Sequence, residues 1–144
     1  MGSPAFCRKP GWQDFHDFMK KWFEERHAPA PGTPLCSTED IAAGEVREFR
    51  FGEKTNFVFR MLVHNHDGEF TAFKNACPHF DVPLNHTPEQ LFTPDGQHFL
   101  CMTHYAKFNK VTGFCVEGPC KGEYMDIIPL TCHGKILAIG EPDS

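Results

Sequence analysis

No run of about 18 apolar residues occurs anywhere in this chain, so no segment reads as a membrane-spanning helix. Basic residues are in the minority: 14 Lys and Arg stand against 19 Asp and Glu, a formal charge of -5. A chain with that balance lacks the basic face that phosphate binding needs, which argues against nucleic acid and for a basic protein partner. The N-terminus has no apolar stretch of the signal-peptide kind, so no secretory leader is expected, although Met1-Gly2-Ser3 has the look of an expression scar that would hide a removed one. The seven cysteines are odd in number and unevenly spaced, which argues against a secreted disulfide framework and for a reducing compartment, here read as cytoplasm. There is no phosphate-cradling glycine loop and no Ser-His-Asp order, so neither nucleotide binding nor hydrolysis is indicated and no independent catalytic site is seen. Internal repeats and low-complexity segments are absent as well.

What is present is an ordinary globular composition. A length of 144 residues suits one domain with a single buried core, and 40% hydrophobic residues can fill it. Phe is abundant at 15, which suits a β-rich interior packed with aromatic rings. Residues 12–27, WQDFHDFMKKWFEERH, are predicted as an amphipathic helix: Trp12, Phe15, Met19 and Trp22 form one apolar stripe, widened by Phe18 and Phe23. The favoured role of that helix is packing on the rest of the chain. Docking of a partner or self-association is a second reading, and headgroup contact through Lys20, Lys21 and Arg26 a third. APAPGTP at 28–34 reads as a linker or an extended connection. The division expected is therefore 1–34 for the helix and Pro-rich connection, and 35–144 for the main domain.

From residue 35 the pattern is that of short strands. STED at 37–40 has the chemistry of a capped helical turn. VREFRF (46–51) reads as a strand, and NFVFRMLVH (56–64) places Phe57, Phe59, Met61 and Val63 on one face. NHDG is a hairpin turn into EFTAFKN. QHFLCM, AKFN, GFCV, YMDIIPL and KILAIG follow, each bounded by Gly, Pro or Asn. Seven or eight such strands predict an all-β fold, a small antiparallel sandwich or barrel.

Two pairs of soft ligands stand out. Cys77-Pro78-His79 follows one predicted strand and Cys101-Met102-Thr103-His104 ends another, so both fall on loop tips at one end of the β structure. Thiolate and imidazole suit zinc, copper or iron–sulfur chemistry rather than magnesium or calcium. Three readings compete. A structural zinc site would use all four, but neighbouring zinc ligands are usually separated by roughly two to four residues, and Cys77 and His79 have one between them. The second reading is coincidence, with buried thiols and solvated imidazoles. The third is a [2Fe-2S] cluster in which two histidines replace two cysteines on one iron.

The span 77–120 resembles the Rieske family. Cys77-x-His79 matches its first motif, Cys101-x-x-His104 its second, and Gly118-Pro119 the Pro loop that covers the cluster; FNKVTGFCVEGP resembles the strand, Thr-Gly turn and Pro loop that end there. The likeness runs over about residues 35–140. It implies a Rieske-like β fold with a cluster-binding loop subdomain and one [2Fe-2S] cluster per chain. In that arrangement Cys77 and Cys101 hold one iron as thiolates, and His79 and His104 hold the other as neutral imidazoles. The implied role is that of a ferredoxin, carrying one electron at a time from a flavin reductase to an oxygenase or similar acceptor. A small Rieske subunit of a larger oxidoreductase and a redox- or iron-sensing module are the alternatives. The chain has no room for the mononuclear iron domain of Rieske oxygenases, so it is not expected to be an oxygenase by itself.

Two departures from the family pattern are visible. The loop between His79 and Cys101 holds 21 residues, somewhat longer than usual, and Tyr105 stands after the second His where Gly is common. High-potential family members tie the ligand loops with two further cysteines, which FDVPL and Thr103 replace here, and offer Ser and Tyr hydroxyls where this chain has Ala106 and Phe108. Hydrogen bonds to cluster sulfur raise the potential, so their loss predicts a low one, near the bottom of the roughly -150 to +300 mV Rieske range. Cys115 and Cys120 flank the Pro loop and are expected to be reduced thiols, one buried in a strand and one near the surface. His86 and His98 are expected to be solvated, and His16, His27, His64, His66 and His133 show no ligand spacing.

Overall fold

The structure is a computed structural model that describes residues 6–7, 22–55, 58–78, 83–85, 91–102 and 105–141. The described residues form mostly antiparallel β-sheet, with two 3-10 turns. Among the described residues eleven short strands make three sheets: β1 (Phe6–Cys7), β2 (Pro34–Ser37), β3 (Val46–Phe51), β4 (Phe59–His66), β5 (Glu69–Lys74), β6 (His98–Leu100), β7 (Lys107–Asn109), β8 (Cys115–Glu117), β9 (Ile127–Ile128), β10 (Leu130–His133) and β11 (Ile136–Ile139). The first sheet runs β1-β5-β4-β3, with β9 also paired to β5; β10-β11-β2 and β6-β7-β8 are the others. All pairings are antiparallel except the two-residue match of β1 to β5, which is parallel.

Local chemistry explains several elements. The β4–β5 hairpin closes with His66 opposite Glu69, leaving Asp67 and Gly68 as a two-residue turn at φ 51° and 93°. Both central residues at positive φ match the twist of the flanking strands, and Asp-Gly is a favoured pair for it. Asn65 reinforces the turn by accepting from the Gly68 amide at 2.7 Å while its own amide donates to the Ile41 carbonyl at 2.8 Å. Ser37 caps a 3-10 helix at Thr38–Asp40, and Asp40 returns a carboxylate to the Ser37 amide in a capping box.

β4 and β5 are buried on both faces, and this divides the interior in two. Phe59, Met61, Val63, Phe70 and Ala72 face a lower core completed by Ile41, Ile128, Leu130, Leu137 and Ile139. Leu62 and Phe73 face an upper core shared with Cys77, Leu84, Leu91, Phe99, Cys101, Ala106, Phe108, Cys115, Cys120 and Met125. Strand pleat produces the division, since alternate residues point to opposite faces. Phe73 and Phe99 meet edge-on with centroids 6.0 Å apart.

Trp22 lies in the lower core, 6.2 Å from the Phe59 ring, in a 3-10 turn over Trp22–Glu24. Of the helix predicted over 12–27, residues 25–27 form a bend and a turn rather than helix, and residues 12–21 lie outside the described residues. Beyond the turn, 28–34 is not a free connection: Gly32 donates to the Ile139 carbonyl at 2.7 Å and Ile139 to that of Thr33 at 2.9 Å, leading directly into β2. Among the described helices none is long and apolar enough to cross a membrane.

Candidate metal centre

The upper core ends in three loops, and two carry the cysteines of the paired motifs. Cys77 follows β5 after Asn75 and Ala76, and Cys101 follows β6 directly. Both lie outside any disulfide with no exposed surface, and both belong to the upper cluster. His79 and His104, the expected imidazole ligands, lie outside the described residues.

Backbone and amide hydrogen bonds hold the two loops together. Asn75 donates to Asn85 Oδ1 at 2.7 Å and to Glu48 Oε2 at 2.6 Å, and accepts from the Leu84 amide at 2.9 Å. The Leu84 carbonyl then accepts from the Met102 amide at 2.7 Å. Entry and exit of the first loop are thereby tied to each other and to the second loop. Neither Asn75 nor Leu84 draws notice in the sequence. The only signal is an Asn at a strand end, a common turn residue.

The second loop is closed by Cys101, which donates to the Ala106 carbonyl at 2.8 Å, and by Tyr105, which donates to the Cys101 carbonyl at 2.7 Å. Tyr105 takes the left-handed conformation at φ 59°. Only glycine does so without a Cβ penalty, which is the physical reason glycine suits this position. Tyr105 is also 67% exposed, so its side chain faces solvent.

The Pro loop follows β8 and lies on the second loop. A Cβ at Gly118, where φ is 110°, would fall 2.7 Å from Ala106 Cα. Contact that close can be made only by a residue without a side chain, so Gly118 lets the two backbones touch. The loop also turns Cys120 inward. Cys120 is 1% exposed rather than near the surface as expected, because the reversal at Gly118 points it back into the upper core. Its sulfur lies 3.1 Å from Cys115 Sγ and 3.8 Å from Cys77 Sγ. Burial above all, then the hydrogen bond to Cys115, pushes the Cys120 thiol well above the ordinary thiol range, so it stays protonated. Ala106 and Phe108 are both fully buried and carry no hydroxyl. Cys115 and Cys120 are free, but Cys132 of β10 is disulfide-bonded, a departure from the fully reduced set that the cysteine spacing suggests.

The donor set tests the proposed cofactor. Two buried, unoxidised thiols on adjacent, mutually braced loops suit thiolate ligation of a soft metal centre, and the apolar residues around them would keep water from it. A β domain built in this way, with two cysteine-bearing loops braced at one end and a third loop packed over them, is of a kind that suits an iron–sulfur centre. The Rieske [2Fe-2S] domain family matches residues 32–134, and the chain belongs to that family. Its cofactor is accordingly a single [2Fe-2S] cluster.

Among similar proteins, the ferredoxin component of biphenyl 2,3-dioxygenase from Rhodococcus jostii (strain RHA1) is 36% identical over 81 residues, covering 56% of this chain and 66% of that protein, just under two thirds of its length. The ferredoxin component of the alkene monooxygenase system of Xanthobacter autotrophicus (strain ATCC BAA-1158 / Py2) is 28% identical over 106 residues, covering 74% of this chain and 78% of that one. Among solved structures, the Sphingomonas yanoikuyae B1 ferredoxin superposes with a TM-score of 0.55 at 22% identity, over 77% of this chain and 99% of its own. At that identity the likeness is one of fold. The all-β Rieske-like architecture expected from the sequence is the one observed.

Proposed function

We propose that the chain is a ferredoxin: a one-electron carrier that takes an electron from a flavin reductase and delivers it to an oxygenase or a similar enzyme. Its four ligands are Cys77 and Cys101 through sulfur and His79 and His104 through neutral imidazole. The single observation that carries this reading is the pair of buried thiols outside any disulfide, Cys77 and Cys101, on loops locked to each other through Asn75, Leu84 and Met102. Relatives named as ferredoxin components of dioxygenase and monooxygenase systems support the partner class.

The bound [2Fe-2S] cluster supplies a one-electron couple. The chain's own residues set its surroundings. Leu84, Leu91, Phe99 and Phe108 are buried in the core that contains both thiols and exclude water from that side. Gly118 lies against Ala106 of the second loop, and the exposed Tyr105 marks the solvent side, where a partner would approach. The missing hydroxyls at Ala106 and Phe108 keep the reduced state less stabilised, which suits a low-potential donor.

Absorption of the purified protein before and after dithionite, with electron paramagnetic resonance of the reduced form and a redox titration, tests this. The expected result is a red-brown protein with two irons per chain, a reduced signal of low average g, and a midpoint below roughly +100 mV. A colourless protein with one tightly held zinc would overturn the carrier reading, and a midpoint well above that limit would overturn the low-potential assignment.

A further inference from the structure

Three sulfurs meet behind the first ligand loop, and only one belongs to the ligand set. Cys120 Sγ is 3.1 Å from Cys115 Sγ and 3.8 Å from Cys77 Sγ, and Cys115 Sγ is 3.3 Å from the Glu117 carbonyl oxygen. All three side chains are buried in the upper core. The backbone builds this convergence. Lys121 donates to the Gly118 carbonyl at 3.1 Å, Gly122 to that of Cys115 at 3.0 Å, and Glu123 to that of Cys120 at 2.9 Å. These three bonds fold the Gly118–Gly122 turn back on β8 and hold Cys120 against Cys115 whatever its own sulfur does.

A thiol has one proton to give and can also accept weakly. A thiolate bound to metal can only accept. The contact between Cys120 and Cys77 therefore has one polarity once Cys77 is a ligand, with Cys120 as the donor. Cys120 donates to Cys115 Sγ at 3.1 Å and Cys115 to the Glu117 carbonyl at 3.3 Å. With Cys77 bound as a thiolate, the single Cys120 proton would turn from the neutral Cys115 sulfur to the more negative Cys77 sulfur, while Cys115 keeps its bond to Glu117.

We propose that Cys120 donates its S–H to the Cys77 sulfur, that Cys115 positions it to do so, and that this buried thiol relay makes the centre easier to reduce than its apolar surroundings would allow. The inference rests on Cys77 being a ligand. A hydrogen bond to a ligand sulfur draws negative charge from it and so favours the reduced, more negative state. The low dielectric of the upper core strengthens even a weak donor. Ala106 and Phe108 offer no side-chain donor at the positions beside it, so the relay supplies part of what their lost hydroxyls do not.

The test compares the intact protein with Cys120→Ala, Cys120→Ser and Cys115→Ala, measuring iron per chain, midpoint potential, and the shift of the iron–sulfur Raman bands on transfer to deuterated water. Cys120→Ala is expected to lower the reduced-to-oxidised ratio at fixed ambient potential about three- to tenfold, or roughly 30 to 60 mV at 59 mV per decade for one electron. It should also lose part of the deuterium shift. Cys120→Ser keeps a donor and is expected to fall between Ala and the parent, and Cys115→Ala to move the potential less than Cys120→Ala. A fully loaded Cys120→Ala or Cys120→Ser protein whose potential and deuterium shift match the parent overturns the relay. Mass spectrometry of alkylated, loaded protein showing a Cys115–Cys120 disulfide overturns it too, since no proton would remain to donate. Cys77→Ala separates the two levels. Loss of iron there supports the ligand reading, whereas full iron content would remove that reading and the relay with it.

Discussion

His64 is fully buried on β4, and neither ring nitrogen has a hydrogen-bond partner among the described residues. Phe99 and Phe92 rings pack against it at 5.8 and 6.4 Å. Burial first, then the positive charge of Lys110, holds its pKa down at about 4 from 6.5, with the Lys110 backbone and Asp67 offsetting part of this. The ring is thus neutral in the folded chain at neutral pH. An unfolded chain binds its proton at the higher pKa, so the stability associated with His64 is complete above pH 6.5, declines as pH falls from 6.5 towards 4, and changes no further below that. The full difference amounts to about 3 kcal/mol. His64→Leu is expected to flatten the fall in stability between pH 7 and pH 4 in urea unfolding; an unchanged slope would show that His64 is not the group responsible. Asn75 acts at the same scale. Its side chain is 2% exposed and serves three polar partners. Asn75→Ala strands those groups and is expected to cost about 1–3 kcal/mol. It should also speed iron loss from the loaded protein, followed by chelator competition.

The loops differ in how they are held. The Pro loop depends on backbone contact, since a Cβ at Gly118 would reach Ala106 Cα at 2.7 Å, while a Cβ at Gly122 would meet nothing within 4 Å. Both glycines have positive φ, at 110° and 94°. Ala at either site therefore carries conformational strain, and only at 118 does a clash add to it. Gly118→Ala is expected to lose about 1–3 kcal/mol more than Gly122→Ala and to release iron faster. Equal losses in the two variants would mean that the loop yields without disturbing the second loop.

Across the whole molecule, the β4–β5 hairpin is a wall with a core on each side. Cys77 and Cys101 belong to one core and Trp22 to the other. Trp22 is 5% exposed, and next to it Glu25 forms a 2.7 Å ion pair with Lys74 at the end of β5, three residues before Cys77. The segment before β2 thereby braces the strand that leads into Cys77. Trp22→Ala is expected to cost about 3–5 kcal/mol, read as a fall in denaturant midpoint. A midpoint unchanged from the parent would instead favour the reading in which this aromatic segment serves a partner.

Sequence alone determined the features that depend on neighbours in the chain. β3 at 46–51, the Asp67-Gly68 turn and the Ser37 cap follow from alternation, left-handed conformers and side-chain reach within four residues. The two Cys-His motifs and the Gly-Pro loop stand out for the same reason, as short motifs with their own chemistry. Tertiary structure decided what depends on segments far apart. β1 and β2 have two and four residues, too few to show a period, and they exist through pairing with β5 and β11. The burial of His64 comes from Phe92 and Phe99, about thirty residues downstream. The inward turn of Cys120 depends on Gly118 lying against Ala106, and its approach to Cys77 on two loops 43 residues apart being braced at one end of the fold. Burial and contact of this kind arise only when the sheets close on a common core, because no local preference encodes which distant surface a side chain will meet.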